Sequence, residues 1–181
     1  MRPWLFLLVA LLLVAPARAQ DVASGPTKGE KVPPLKVFDV TGAQKDKEVD
    51  YAAERKDRPT IYLLVQADKC DRPMNKFMRI LDSGLKKDSE DAYMVAVWLT
   101  DEPDKTKQLL PRVQQSVQYE NTALTYFPGG KDGPRDWNIN GDAHLTVVIA
   151  NKGKVVKTFG YRTVNDTDVP PVREAFQKAL K

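Results

Sequence analysis

The chain has one cysteine and one histidine, and these two scarcities exclude more than any motif includes. A single cysteine cannot close an internal disulfide, and no second thiol is present to resolve a mixed one. One histidine supports no convincing Ser/His/Asp arrangement, and no zinc-ligand spacing occurs. There is no glycine loop to cradle phosphate, no internal repeat and no low-complexity tract. Charge of one sign is scarce as well. The formal charge is +4, yet Arg2 and Arg18 fall in an N-terminal leader, and without them 26 of the 28 basic residues face 24 acidic ones. That balance, with lysines scattered among aspartates and glutamates, excludes a nucleic-acid surface. Long apolar runs are also missing. The longest, Trp4 to Ala15, is too short for a helix to span a bilayer core of about 30 Å.

What is there begins with that leader. Arg2, the apolar run and the small residues Ala17-Arg18-Ala19 predict a cleavable signal peptide over residues 1–19. The mature protein is then expected to be secreted or periplasmic, within the cell envelope, with no stable membrane insertion after cleavage. Residues 20–34 are rich in Gly, Pro, Ser and Lys and predict a flexible linker. The rest, 35–181, is enough for one domain with its own core.

Within that domain, Leu35 to Val40 alternates and predicts an edge strand, and the stretch from Glu48 to Arg55 reads as a strand end passing into a short helix. Thr60 to Val65 is β-branched, aromatic and apolar on both faces, which predicts a strand buried mid-sheet. Cys70 follows at the mouth of a helix that Asp71 caps and Pro73 opens, with Met74, Phe77, Met78, Leu81 and Leu85 at helical spacing. Ala92 to Leu99 predicts a second buried strand and hence a parallel crossover. Asp101-Glu102-Pro103-Asp104 predicts a helix start, with carboxylates placed for the helix dipole rather than for catalysis, and Pro111 lies within that helix. Thr122 to Phe127 suits a short strand. A glycine-rich loop from Pro128 to Asp142 carries Trp137, a hairpin spans His144 to Tyr161, and a last helix starts near Asp168.

This order, with Cys70-Asp71-Arg72-Pro73 at a strand-to-helix junction, resembles the thioredoxin fold, in particular the exported redoxin branch related to alkyl hydroperoxide reductase and thiol-specific antioxidant proteins. The resemblance implies an α/β, thioredoxin-like three-layer sandwich: a central mixed β-sheet flanked by helices, with an N-terminal β extension. It also locates departures. The family's C-x-x-C ends here in Pro73, and the cis-proline that faces the active cysteine falls at about His144 or Leu145, where there is none. The peroxiredoxin pattern P-x-x-x-[ST]-x-x-C meets Leu63 and Ala67 instead.

Three readings follow. In the first, Cys70 is a single-thiol nucleophile at a helix N-terminus, with Lys69 and Arg72 favouring its thiolate, Asp68 and Asp71 opposing it, and His144 a partner if it lies opposite. An external thiol or partner protein would regenerate it, with no cofactor. The catalytic candidates are Cys70, His144 and Arg72. In the second, the fold is a redox-inactive binding module whose long loop and Trp137 contact a protein or small ligand. In the third, Cys70, Met74 and His144 hold copper, as C-x-x-x-C and a distant histidine do in copper chaperones of cytochrome oxidase assembly. Asn165-Asp166-Thr167 also matches a glycosylation acceptor.

Overall fold

The computed structural model describes residues 22–181, and the expected signal peptide lies outside the described residues. Among them, no helix is long and apolar enough to cross a membrane.

Strand β3 (Thr60–Gln66) lies inside the sheet, and all seven of its residues are buried. It pairs in parallel with β4 (Tyr93–Leu99) and antiparallel with β6 (Leu145–Asn151). With β1 (Lys36–Asp39), β2 (Lys47–Asp50), β5 (Thr122–Phe127) and β7 (Lys154–Tyr161) it forms a mixed seven-stranded sheet. The order is β2-β1-β5-β4-β3-β6-β7. The expected edge strand is therefore an interior one. Val37 of β1 is fully buried, and the charged strand Lys47-Glu48-Val49-Asp50 takes the edge, where charge discourages pairing with other chains. Between β6 and β7 the turn has Lys152 and Gly153 at positive φ, as a two-residue hairpin requires.

Among the described residues four α-helices accompany the sheet: α1 (Tyr51–Arg55), α2 (Arg72–Asp88), α3 (Pro103–Val117) and α4 (Val169–Ala179). The start of α2 matches its sequence. Asp71 accepts from the Met74 amide at 2.9 Å, and the five apolar residues expected on its inner face are buried. Asp82, also on that face, fastens α2 to the start of β5 by accepting from the Glu120 and Asn121 amides and the Thr122 hydroxyl at 2.6–2.9 Å. Helix α3 starts at Pro103 with Asp104 in its first turn, as expected. Its N-cap Glu102 caps no backbone amide with its side chain, which accepts from Lys105 Nζ, and Thr100 Oγ1 accepts from the Glu102 amide.

Successive residues of β3 face opposite ways, so the sheet has two cores. On one face α2, α3 and α4 bring Phe77, Leu110 and Phe176 against Ile61, Leu63 and Val147. On the other, Tyr62, Leu64 and Val97 meet Tyr51 from the short α1, together with Val32, Leu35 and Trp137.

Two expectations fail on that second face. From Val22 onward the expected flexible linker is a strap fixed along β7. Val22 and Val32 donate their amides to Gly160 O and Gly153 O at 2.9 and 3.0 Å, and Gly29 donates to Val155 O at 2.8 Å. Composition marked this stretch as mobile, but its order comes from backbone bonds to a distant strand. Trp137, expected as a surface contact, is fully buried; it packs edge-on to Tyr62 at 5.3 Å and donates Nε1 to Pro34 O at 3.1 Å. Among the described residues the face has only one short α-helix, and the strap and the indole fill the space a longer one would take. Trp137→Ala should therefore destabilise the fold by about 3–5 kcal/mol, the usual cost of deleting a buried aromatic, measured as a lower midpoint in urea unfolding.

Candidate functional site

The carboxyl ends of parallel strands in an open α/β sheet are where ligands usually lodge. Here the chain leaves β3 through a 3-10 turn at Ala67–Lys69, and Cys70 ends that turn. The thiol is half-buried. Burial pushes it up to about 11, the neighbouring Asp71 carboxylate adds to the rise, and a hydrogen bond from Asn75 opposes it. Asp71 already occupies the N-terminus of α2, so the helix end that would favour a thiolate is engaged by a carboxylate.

The two cations expected to help do not act on the thiol. Lys69 pairs with Asp68 at 2.8 Å, and Arg72 opens α2 with its side chain exposed. His144 enters β6 where the resemblance put the cis-proline, and no cis peptide occurs among the described residues. Its carbonyl accepts from the Gln66 amide at 2.9 Å and its amide donates to Tyr161 O at 2.8 Å. The Lys69 hydrogen bond holds the nearby Asp68 carboxyl below its usual range.

Met74 is buried in the helix-side core, and the described residues contain no cluster of three His, Cys, Asp or Glu able to take a metal ion. The donor set expected for copper, Cys70 with Met74 and His144, thus has its thioether committed to packing. Among the described residues, three buried polar atoms near the start of α2 and the end of α3 lack partners, Asn75 Oδ1, Gln114 Oε1 and Tyr119 Oη. Burial pushes the Tyr119 phenol up, and a thiolate at Cys70 would push it further.

Beside this junction lies a crevice of two adjoining hollows, about 640 and about 400 Å³, which share Asp68 and Lys131. Ala67, Leu99 and Leu109 supply apolar surface in the larger one, and Leu109 is 49% exposed. Gln66, Lys69, Ile139 and His144 line the smaller one. The loop after β5 forms the wall between them and is fastened to the strand ends. Lys131 donates its amide to Asp101 Oδ1 and pairs its ammonium with Oδ2, both at 3.1 Å, while Gln66 Nε2 donates to Lys131 O at 3.2 Å.

These residues were not legible as a site in the sequence. Asp101 reads as part of a helix start, whereas its carboxylate serves the loop; the only signal was Gly129-Gly130 ahead of Lys131, a turn that lets the chain double back. Gly130 adopts φ +99 and an added Cβ would lie 3.3 Å from Asp101 Oδ1.

No protein-family model and no curated protein matches the chain. Solved structures do. A protein assigned as thiol:disulfide interchange protein DsbE from Chlorobium tepidum is similar at 18% identity and a TM-score of 0.64, over 86% of this chain and 99% of that one. A thiol peroxidase from Chromobacterium violaceum is similar at 12% and 0.61, over 90% and 93%. A member of the Sco family of cytochrome c oxidase assembly proteins is similar at 16% and 0.56, over 84% and 95%. The fold is thioredoxin-like, as the order of elements implied. At these identities the likeness defines the fold and leaves chemistry to the residues.

Replacing Asp71 by Asn keeps a capping oxygen and removes a negative charge beside the thiol, so the thiolate becomes easier to form. In Asp71→Asn the pH profile of Cys70 alkylation should move to lower pH while staying above the roughly 8.5 of a free thiol, because burial remains.

Proposed function

We propose that this protein is a thioredoxin-fold binding protein of the cell envelope, in which the crevice beside β3 and β4 holds the ligand and Cys70 is not a turnover nucleophile. The observation that carries this reading is the environment of the thiol: burial and the Asp71 carboxylate keep Cys70 protonated at neutral pH. The crevice suits a ligand of peptide size. Leu99 and Leu109 offer apolar contact, and ion pairs of both signs along the rim offer polar groups. An envelope location is supported by the leader-like N-terminal sequence.

A second reading keeps a single-thiol redox role for Cys70, in exchange with an external thiol or partner protein. The observation favouring it is that the thiol is only half-buried at the junction where redoxins carry their active cysteine.

Alkylation of Cys70 across pH separates the two, with Cys70→Ser as blank. The binding reading expects slow reaction at neutral pH, rising only toward pH 11. Fast alkylation at pH 7 would restore the redox role to first place. In a peptide-array screen on the purified protein, binders should be retained by Cys70→Ser and weakened about tenfold or more by Leu109→Glu, which puts a charge on the apolar wall. Loss of binding in Cys70→Ser, with Leu109→Glu unaffected, would remove the crevice from consideration.

A further inference from the structure

The strap ends where the crevice begins. Ser24 is 7% exposed and its hydroxyl joins two elements: it lies 2.6 Å from Thr146 Oγ1 of β6 and accepts the Asn140 amide at 3.0 Å. Asn140 returns a bond from Nδ2 to Ala23 O at 3.1 Å, and Gly25 donates its amide to Asn138 O at 3.1 Å. Asn140 in turn organises the segment after it. Its Oδ1 accepts from the Asp142 amide and its carbonyl from the Ala143 amide, both at 2.9 Å. Ile139, Gly141 and His144, on either side of these bonds, line the smaller hollow. The wall of the crevice therefore rests on three residues of the strap, Ala23 to Gly25, and not only on the sheet.

Gly160 shows how closely the strap is seated. Its backbone has no left-handed φ, so a strand alanine would be tolerated there on conformation alone; yet an added Cβ would lie 2.2 Å from Val22 O and 2.9 Å from Ser24 Cβ. A methyl group at this position is compatible with β7 and incompatible with the docked strap.

We propose that the strap is a regulatory element of the crevice: seating of Val22–Gly25 and ordering of the Asn138–Ala143 wall form one linked equilibrium. This rests on the crevice being the binding site. Release of the strap loosens the wall and weakens binding; by reciprocity, a ligand that fixes the wall tightens the strap. Any event that pulls on the chain before Val22, such as retention or removal of a leader, is thereby transmitted to the crevice.

The test needs no ligand. Full-length Gly160→Ala, Ser24→Ala and the exposed edge variant Lys47→Ala are compared by amide hydrogen exchange and by the imidazole NMR signals of His144, the sole histidine. In Gly160→Ala the Gly25 and Gly29 amides, which report the strap, should lose protection. The Ala143 amide, which does not touch the strap, should exchange about tenfold faster in both strap variants, within the range usual for coupled sites. The His144 signals should shift with it, and Lys47→Ala should change nothing.

A released strap with Ala143 and His144 unchanged would overturn the proposal, and so would a strap that stays protected in Gly160→Ala. Because neither readout involves binding, a failure here is distinct from a failure of the crevice in the peptide screen.

Discussion

The constraint on which the structure depends is that β3 is buried on both faces, so each face of the sheet must be covered by something. Three helices cover one. On the other, the described residues supply only one α-helix, the five-residue α1, and the shortage accounts for the placement of two segments that look like surface. The strap lies there and contributes Val32, and the loop after β5 folds its indole inward to reach Tyr62. Burying apolar side chains is favourable by about 1.5–3 kcal/mol for each large one. A sheet face left open would forgo several such contributions and expose strand backbone to solvent.

A competition for one helix end decides the chemistry nearby. The amide groups at the start of α2 can stabilise one negative charge well, and Asp71 reaches them through its own capping bond. Cys70, one residue earlier, has its thiolate disfavoured by the carboxylate it precedes. Lys69 is engaged by Asp68. Two acids thus absorb the positive charge that a reactive thiol would need. The polar resources of the site have been moved sideways, into the fastening of Lys131 to Asp101 and Gln66, which shapes a cavity rather than a nucleophile.

Much of this was legible in the sequence where the signal is local. The spacing Met74, Phe77, Met78, Leu81, Leu85 specifies which face of α2 turns inward, because a helix repeats every 3.6 residues. Lys152-Gly153 specifies the hairpin turn because few residues accept positive φ. Non-local arrangements were not legible. Ser24 and Thr146 stand 122 residues apart, and nothing in a run of Gly, Pro and Ser distinguishes a seated strap from a loose one. Trp137 sits in a loop by composition, and only the missing helix on that face explains its burial. Asp101 carries the right chemistry for a helix start and uses it elsewhere. The sign of the shift at Cys70 was also out of reach, since two cations and two acids flank it in sequence and only geometry tells which of them bear on the sulfur.

The pairing of the strap with β7 also bears on when the molecule can be completed. Residues near the beginning of the chain supply bonds to Gly153, Val155 and Gly160, close to its end. During synthesis the first of these segments emerges with no partner and must wait for the last hairpin. Contacts of such large sequence separation close late and slow the final step of folding. The exposed edge of β7 is the last part of the sheet to be sealed, and it is sealed by the oldest residues of the described chain.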